Sequence, residues 1–129
     1  MMIMKITGVI ETGAGKGSFF VGLDWVVHQF EEQMGFKPFP GTLNVRLNEG
    51  DLAQAQSFFD KKDFDLVPKD PAFCRAGVKR LTVNGVPAAA VFPSQDVRIH
   101  DNRVIEIIAG CHIKETLNLH DGDEVTLEE

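Results

Sequence analysis

The stretch Pro40-Gly41-Thr42-Leu43-Asn44-Val45-Arg46-Leu47 decides the fold of this chain, because it joins a turn signal to a strand signal. Pro40-Gly41 is typical of a turn. After this turn aliphatic and polar residues alternate, which is the period of a half-buried strand. One face would be aliphatic, and the other would carry the polar side chains of Thr42, Asn44 and Arg46. Taken alone, the pattern favours solvated surface over a binding site for this polar face.

The composition is that of a soluble globular protein. A length of 129 residues predicts one domain, residues 1–129, that is long enough to bury a core. Hydrophobic residues make up 43% and charged residues 25% of the chain. The net charge is −6 without a basic run. This charge argues against nucleic-acid or anionic-membrane partners, because phosphate affinity depends on clustered Lys and Arg. It is compatible with a local basic spot for a small phosphorylated ligand.

The cysteines and histidines suggest no metal centre. Cys74 and Cys111 have neither metal-ligand spacing nor a disulfide framework, so we expect reduced thiols and a cytoplasmic location. The apolar N-terminal segment is too short for a signal peptide or a membrane span. The four histidines form no helical ligand pair, so zinc is not expected. Cys111 and His112 are adjacent, but most free cysteines are structural, which disfavours a catalytic thiol.

Short strands outnumber helices along the chain. The predicted strands are Met4–Thr12, Phe19–Leu23, 42–47, Val78–Val83, Val86–Phe92, Val104–Ile108 and Glu124–Leu127. The predicted helices are Trp25–Met34, with Asp24 as N-cap and Gly35 after its end, and Asp51–Phe59. Residues Ile113–Leu119 are predicted to form a short helix or a turn. Asn84-Gly85 suits a type I′ hairpin turn. This succession indicates a mainly β fold, an antiparallel barrel with a few small helices, rather than βαβ units.

Two features could carry chemistry. Gly13-Ala14-Gly15-Lys16-Gly17-Ser18 is predicted to join two strands, so it matches neither a Walker loop nor a dinucleotide fingerprint. Its glycines can present N–H groups to a phosphate, with Lys16 adding charge, but a flexible hairpin turn is the favoured reading of the loop alone. Glu106 is a lone carboxylate in an aliphatic strand. It is either a functional group, such as a general base, or a residue at a barrel mouth.

Taken in order, these segments resemble the archaeal-type, CTP-dependent riboflavin kinases. The resemblance extends over about Lys5 to Leu127 and is carried by GAGKGSFF, GFKPFP, GTLNVRL, VIEIIA and LNLHDGDEV. GTLNVRL preceded by GFKPFP is its most specific part. The DGDEV ending is weak, since it also occurs in unrelated small barrels.

The resemblance implies a fold, a reaction and a set of partners. The fold would be a compact six-stranded cradle-loop β-barrel with a few short helices. The reaction would transfer the γ-phosphoryl group of CTP to the 5′-hydroxyl of riboflavin, giving FMN and CDP, with Mg²⁺ as cofactor. CTP and riboflavin would be the partners of a monomer, without nucleic acid or membrane.

The resemblance also implies residue roles. Thr42 and Asn44 would bind Mg²⁺, and Glu106 would lie at the flavin end, near the accepting hydroxyl. Our own hypothesis is that Glu106 orients this hydroxyl and acts as its base. The nucleotide-binding residues would be Gly13, Ala14, Gly15, Lys16, Gly17 and Ser18 around the phosphates, and Cys111, His112, Ile113 and Lys114 on the cytidine side. Neutral Thr and Asn oxygens suit a magnesium–nucleotide complex, in which the phosphates supply the negative charge. Phosphoryl transfer depends mainly on positioning and charge neutralisation, which such residues can provide.

Three features depart from the family's usual pattern. Ser18 stands where the family usually has an aromatic or basic residue, and Gly110 stands where it tends to have proline. The loop Ser94–Asp101 is longer and lacks the threonine that contacts the flavin phosphate in the family. These departures keep open a non-catalytic flavin- or nucleotide-binding module on the same barrel. A DNA-binding regulator is the third hypothesis, which the negative charge and the lack of a helix-turn-helix pattern disfavour.

Overall fold

A computed structural model describes residues 4–13, 21–70, 75–92 and 104–129. The strands are β1 Lys5–Glu11, β2 Leu43–Leu47, β3 Phe64–Leu66, β4 Ala76–Val83, β5 Val86–Phe92, β6 Val104–Ala109 and β7 Glu124–Glu128. The helices that lie wholly within these ranges are α1 Asp24–Met34, α2 Leu52–Asp60 and α3 Ile113–Thr116, with a 3₁₀ turn Glu49–Asp51 before α2. None of these helices is long and apolar enough to cross a bilayer.

Six strands close into an antiparallel barrel in the order β4-β5-β6-β2-β1-β7. The ring closes where β7 pairs back with β4, with Thr82 opposite Glu128 and Val83 opposite Leu127. β3 pairs with the first part of β4, next to this seam and outside the ring. The prediction of a mainly β, six-stranded barrel with a few short helices is confirmed.

The hairpin between β4 and β5 has the predicted turn. Asn84 and Gly85 both have positive φ angles, 47° and 88°, as a type I′ turn requires. The two strands then pair from Val83 opposite Val86 to Gly77 opposite Phe92. An Asn-Gly pair therefore fixes the register of the longest strand pair in the barrel.

Two hydrophobic layers lie on opposite sides of the sheet. The barrel interior holds the alternating aliphatic residues of β2 and is closed by Ala55, Phe58 and Phe59 of α2. The outer layer lies under α1, where Val26 and Phe30 pack on the outer face of β4, β5 and β6. This two-sided burial explains the apolar run in β6, because Ile107 belongs to the interior and Ile108 to the layer under α1.

Three local predictions were wrong. Val21 to Leu23 is not a strand: Val21 is helical, and Leu23 is the extended N-cap of α1. Asp24 is the first helical residue rather than the cap, because the Leu23 carbonyl already accepts the N–H groups of Val26 and Val27. The short strand β3 lies in a segment for which no strand was predicted.

Other local predictions are confirmed or lie outside the description. Gly35 ends α1 with a φ of 83°, and its N–H donates to the Glu31 carbonyl, as predicted for a glycine at this position. The predicted strand residues Phe19 and Phe20 and the loop Ser94–Asp101 lie outside the described residues.

Candidate functional site

The polar face of β2 continues as a row across its two neighbouring strands. Asn44 lies directly opposite Glu11 of β1 and opposite Glu106 of β6. Residues that are opposite in an antiparallel pair point to the same face of the sheet. Since Leu43 and Val45 point into the barrel, Asn44 and the two glutamates lie on its outer face. One strand further, Val91 lies opposite Glu106 and already belongs to the layer under α1.

A pocket of about 280 Å³ opens at this row, and we call it the site pocket. Every predicted site residue within the described ranges lines it: Gly13, Thr42, Asn44, Glu106, Cys111, His112, Ile113 and Lys114. The other lining residues are Phe39, Pro40, Gly41, Leu43, Ile107 and Ala109. The predicted phosphate-binding residues Ala14, Gly15, Lys16, Gly17 and Ser18 lie outside the described residues.

Backbone pairing brings the segment before β2 next to the segment after β6. The Phe39 N–H donates to the Ala109 carbonyl at 2.7 Å, which extends the pairing of β2 with β6. After Ala109 the chain turns, and Ile113 inserts its side chain into the barrel core. Burial of Ile113 anchors α3, so residues 111–114 are held over the end of β6 and face the turn before β2.

Gly13 allows a close contact with Asn44. A Cβ atom at Gly13 would lie 2.1 Å from Nδ2 and 3.0 Å from Oδ1 of Asn44. Real Cβ atoms essentially never approach other heavy atoms to 2.1 Å, so any side chain at Gly13 would displace the amide. The first glycine of the glycine-rich loop therefore packs directly against the predicted metal ligand on β2.

One wall of the site pocket is aromatic. The rings of Phe39 and His112 lie with their centroids 5.1 Å apart and tilted by 44°. The Nδ1 atom of His112 lies 3.5 Å from a carboxylate oxygen of Glu115, but it forms no hydrogen bond with any residue that the structure describes. Phe39 was not among the predicted site residues. Its place between two prolines, just before the polar strand, was the available signal.

Lys114, which also lines the site pocket, is paired with Asp121. Its Nζ lies 2.9 Å from Oδ1 of Asp121, and the hydroxyl of Thr12 donates to Oδ2 of the same carboxylate. The hydrogen bond from Thr12 and then the one from Lys114 lower the pKa of Asp121 below its ordinary value. Thr12 and Asp121 were not predicted as site residues.

The two glutamates of the outer row differ in their surroundings. Glu11 forms a bidentate pair with Arg46, with distances of 2.7 Å from Nε and 3.2 Å from Nη2. This ion pair gives Arg46 a partner, whereas the strand pattern indicated only that its side chain lies on the polar face of β2. Glu106 has no hydrogen bond or ion pair with any other residue that the structure describes. Its carboxylate therefore lines the site pocket without an ion-pair partner among those residues.

The donor atoms of the site pocket fit a hard cation that arrives with its own anionic ligand. Thr42 and Asn44 offer neutral oxygens, and Glu106 lies opposite Asn44. Within the described ranges no group of three His, Cys, Asp or Glu side chains could hold a metal by itself. Mg²⁺ prefers oxygen ligands and is commonly bound through one or two protein groups together with substrate phosphates.

Comparison with known proteins gives the same family as the sequence motifs. The family model named CTP-dep_RFKase, described as a domain of unknown function, DUF120, matches residues 10–128. The chain belongs to this family. The match therefore includes β2, β6 and α3, the elements that line the site pocket.

Curated relatives in archaea are similar over nearly the whole chain. A protein of Saccharolobus solfataricus named riboflavin kinase is 36% identical over 130 residues, covering 97% of this chain and 73% of the relative. One of Methanobrevibacter smithii with the same name is 34% identical, covering 97% of this chain and 99% of the relative. In Methanococcoides burtonii the riboflavin kinase is 35% identical, and the match covers 56% of its length.

Proposed function

We propose that this protein is a riboflavin kinase that transfers the γ-phosphoryl group of CTP to the 5′-hydroxyl of riboflavin in the presence of Mg²⁺. The observation that carries the proposal is the convergence of Asn44, Glu106 and residues 111–114 on one pocket in a chain of this family. The relatives named riboflavin kinase support the acceptor. The name of the family model supports CTP as the donor.

The nucleotide would lie between the start of the glycine-rich loop and the segment 111–114. Gly13 leaves room for a phosphate-binding backbone next to Asn44, and Lys114 supplies positive charge at the rim. Phe39 and His112 offer an aromatic wall for a planar base. Thr42 and Asn44 would hold Mg²⁺, which when bound offsets negative charge on the phosphates and aligns them.

Glu106 is the residue that we assign to the accepting hydroxyl. The hydroxyl oxygen forms a bond to the γ-phosphorus, the bond from that phosphorus to the β-phosphate oxygen breaks, and CDP leaves. The proton of the hydroxyl passes to the Glu106 carboxylate. A carboxylate without a partner among the described residues is available both to orient the hydroxyl and to accept this proton.

The direct test is formation of FMN. The protein is incubated with riboflavin and MgCl₂ and with either CTP or ATP, and the flavins are separated by chromatography. We expect FMN with CTP, and none when EDTA removes the metal. Absence of FMN with both nucleotides would contradict the proposal, and tight flavin binding without turnover would favour the non-catalytic binding module.

The role of Glu106 is tested by Glu106→Gln, which keeps the shape of the side chain and removes its basicity. We expect kcat to fall by about 100-fold or more, since a general base contributes about 10²–10⁴-fold, while the KM for CTP changes little. Glu32→Gln, on the exposed face of α1, is the control and should leave kcat unchanged. Wild-type turnover by Glu106→Gln would rule out a general-base role.

A further inference from the structure

The motif Asp121-Gly122-Asp123 is weak as a sequence signal, but the structure attaches it to the site. The Gly122 N–H donates to the Ile10 carbonyl at 2.8 Å, and the Ile10 N–H donates to the Asp123 carbonyl at 2.9 Å. These two bonds fix the turn before β7 on the end of β1. The turn therefore lies next to Thr12, the residue that directly precedes the glycine-rich loop.

The side chain of Asp121 connects two walls of the site pocket. One oxygen accepts from Lys114 Nζ at 2.9 Å, and the other accepts from the Thr12 hydroxyl. Lys114 lines the pocket from α3, and Gly13, the neighbour of Thr12, lines it from the end of β1. A single carboxylate thus links the residues on either side of the pocket mouth.

Lys114 is well suited to bind an anion while it stays paired with Asp121. It is the one Lys or Arg among the lining residues that the structure describes. An ammonium group has three donors, so the bond to Asp121 leaves two for a ligand. A lysine side chain is long and flexible, and a fixed partner reduces the positions that Nζ samples.

We propose that Asp121 is a positioning residue for the polyphosphate end of the ligand. It holds Lys114 Nζ at the mouth of the site pocket and restrains Thr12 and Gly13, where the glycine-rich loop begins. The identity of the ligand as a nucleoside triphosphate rests on the proposed function, whereas recognition of a polyphosphate does not. Because the bond to Asp121 leaves two Nζ donors free, a highly charged phosphate chain can share Lys114 with Asp121.

The test measures ligand binding and turnover separately. Calorimetry with CTP and MgCl₂, and with inorganic tripolyphosphate, is performed on the wild type, Asp121→Ala and Asp121→Asn, together with KM and kcat for FMN formation. We expect Asp121→Ala to weaken binding of both ligands and to raise the KM for CTP by about fivefold to tenfold, with kcat within about twofold. Asp121→Asn keeps a hydrogen-bond acceptor and should lie between the wild type and Asp121→Ala.

Asp123→Asn is the matched control in the same turn. The Asp123 carboxylate accepts from the His120 N–H at 2.8 Å and does not touch Lys114. We expect this variant to bind tripolyphosphate like the wild type. Equal weakening by the Asp121 and Asp123 variants would reduce the effect to a general loosening of the turn and overturn the proposal.

The remaining outcomes separate this inference from the proposed function. Unchanged or tighter binding of tripolyphosphate by Asp121→Ala overturns the positioning role, as does a wild type that does not bind tripolyphosphate. If FMN forms but Asp121→Ala has no effect, the inference alone fails. If no FMN forms but Asp121→Ala weakens tripolyphosphate binding, the proposed function alone fails. A melting curve of each variant shows that it is folded, and Asp121→Asn serves if Asp121→Ala is not.

Discussion

Asn44 is the residue whose surroundings define the site most closely. Its amide packs against Gly13, and its backbone lies between those of Glu11 and Glu106. Glu11 is engaged by Arg46, so the charge on that side of Asn44 is compensated. On the other side, the Glu106 carboxylate faces the pocket without an ion-pair partner among the described residues. Asn44 therefore lies beside one unpaired carboxylate, which is a suitable place for a cation–phosphate complex.

Gly13→Ala should disturb this arrangement without disturbing the fold. The added Cβ would lie 2.1 Å from Asn44 Nδ2, so the amide must move. We expect kcat/KM for FMN formation to fall by about tenfold or more, because a displacement of about 1 Å can cost about 10²-fold in rate. The melting temperature should change little, since Gly13 is exposed.

Gly50→Ala is the matched control for this substitution. Gly50 is also exposed, and a Cβ there would meet no atom within 4 Å. Its activity should equal that of the wild type. If Gly13→Ala were as active as Gly50→Ala, the position of the Asn44 amide would not matter for catalysis.

At this scale the sequence indicated some site residues and not others, for a physical reason. Thr42, Asn44 and Glu106 stand out because each is polar in an alternating or aliphatic strand, and motif order then gives them roles. Phe39 and Asp121 do not stand out, because a phenylalanine near prolines and an aspartate in a turn are ordinary. Their importance comes from contacts with His112, Lys114 and Thr12 that only the closed barrel creates.

At the scale of elements, α1 and the segment after β6 fit together through Gly110. The ring of Phe36, just after α1, packs edge-on against Phe30 with centroids 5.6 Å apart. A Cβ atom at Gly110 would lie 2.7 Å from Cδ2 of this ring. Glycine at this position is thus explained by the Phe36 ring, whereas the family pattern alone indicates only that a proline is missing.

Gly110→Ala should destabilise the protein by overpacking. Phe36 would have to leave a favourable rotamer or shift together with Phe30, and such overpacking typically costs about 1–3 kcal/mol of unfolding free energy. Urea denaturation would measure the loss. In the double variant Gly110→Ala with Phe36→Leu, the smaller side chain should relieve the clash. Its destabilisation should then be less than the sum of the two single effects. Strict additivity would show that the two residues do not press on each other.

The elements that the sequence failed to predict depend on distant partners. β3 is a short strand held by β4 and by Gln29 of α1, whose amide bonds to both the N–H and the carbonyl of Val67 at 2.8 Å. No local pattern encodes such support.

The start of α1 was misplaced for a local reason. Asp24 fits a capping preference, but the backbone at Leu23 already begins the helix. The Asn-Gly hairpin was predicted correctly because its signal is local.

At the scale of the whole molecule, the barrel closes at a short seam between β4 and β7. Only two residue pairs form the ladder there. Asn84, in the turn at the end of β4, extends the seam by two hydrogen bonds. Its N–H donates to the Thr126 carbonyl at 3.0 Å, and its side-chain Oδ1 accepts from the Thr126 N–H at 2.8 Å. An asparagine thus serves both the hairpin turn and the closure of the barrel.

Asn84→Gly separates these two tasks. Glycine tolerates the positive φ of 47° but lacks the acceptor for the Thr126 N–H. We expect a loss of about 1 kcal/mol in unfolding free energy, the usual net value of one hydrogen bond. Hydrogen exchange at the Thr126 amide should also become faster than at amides inside the barrel.

The control is Asn118→Gly. Asn118 also has a positive φ, 53°, but its side chain bonds to no described residue. Its unfolding free energy should stay within about 0.5 kcal/mol of the wild type. Equal effects of the two variants would mean that the Asn84 side chain does not hold the seam. The barrel would then be closed by the β4–β7 ladder and the packed interior alone.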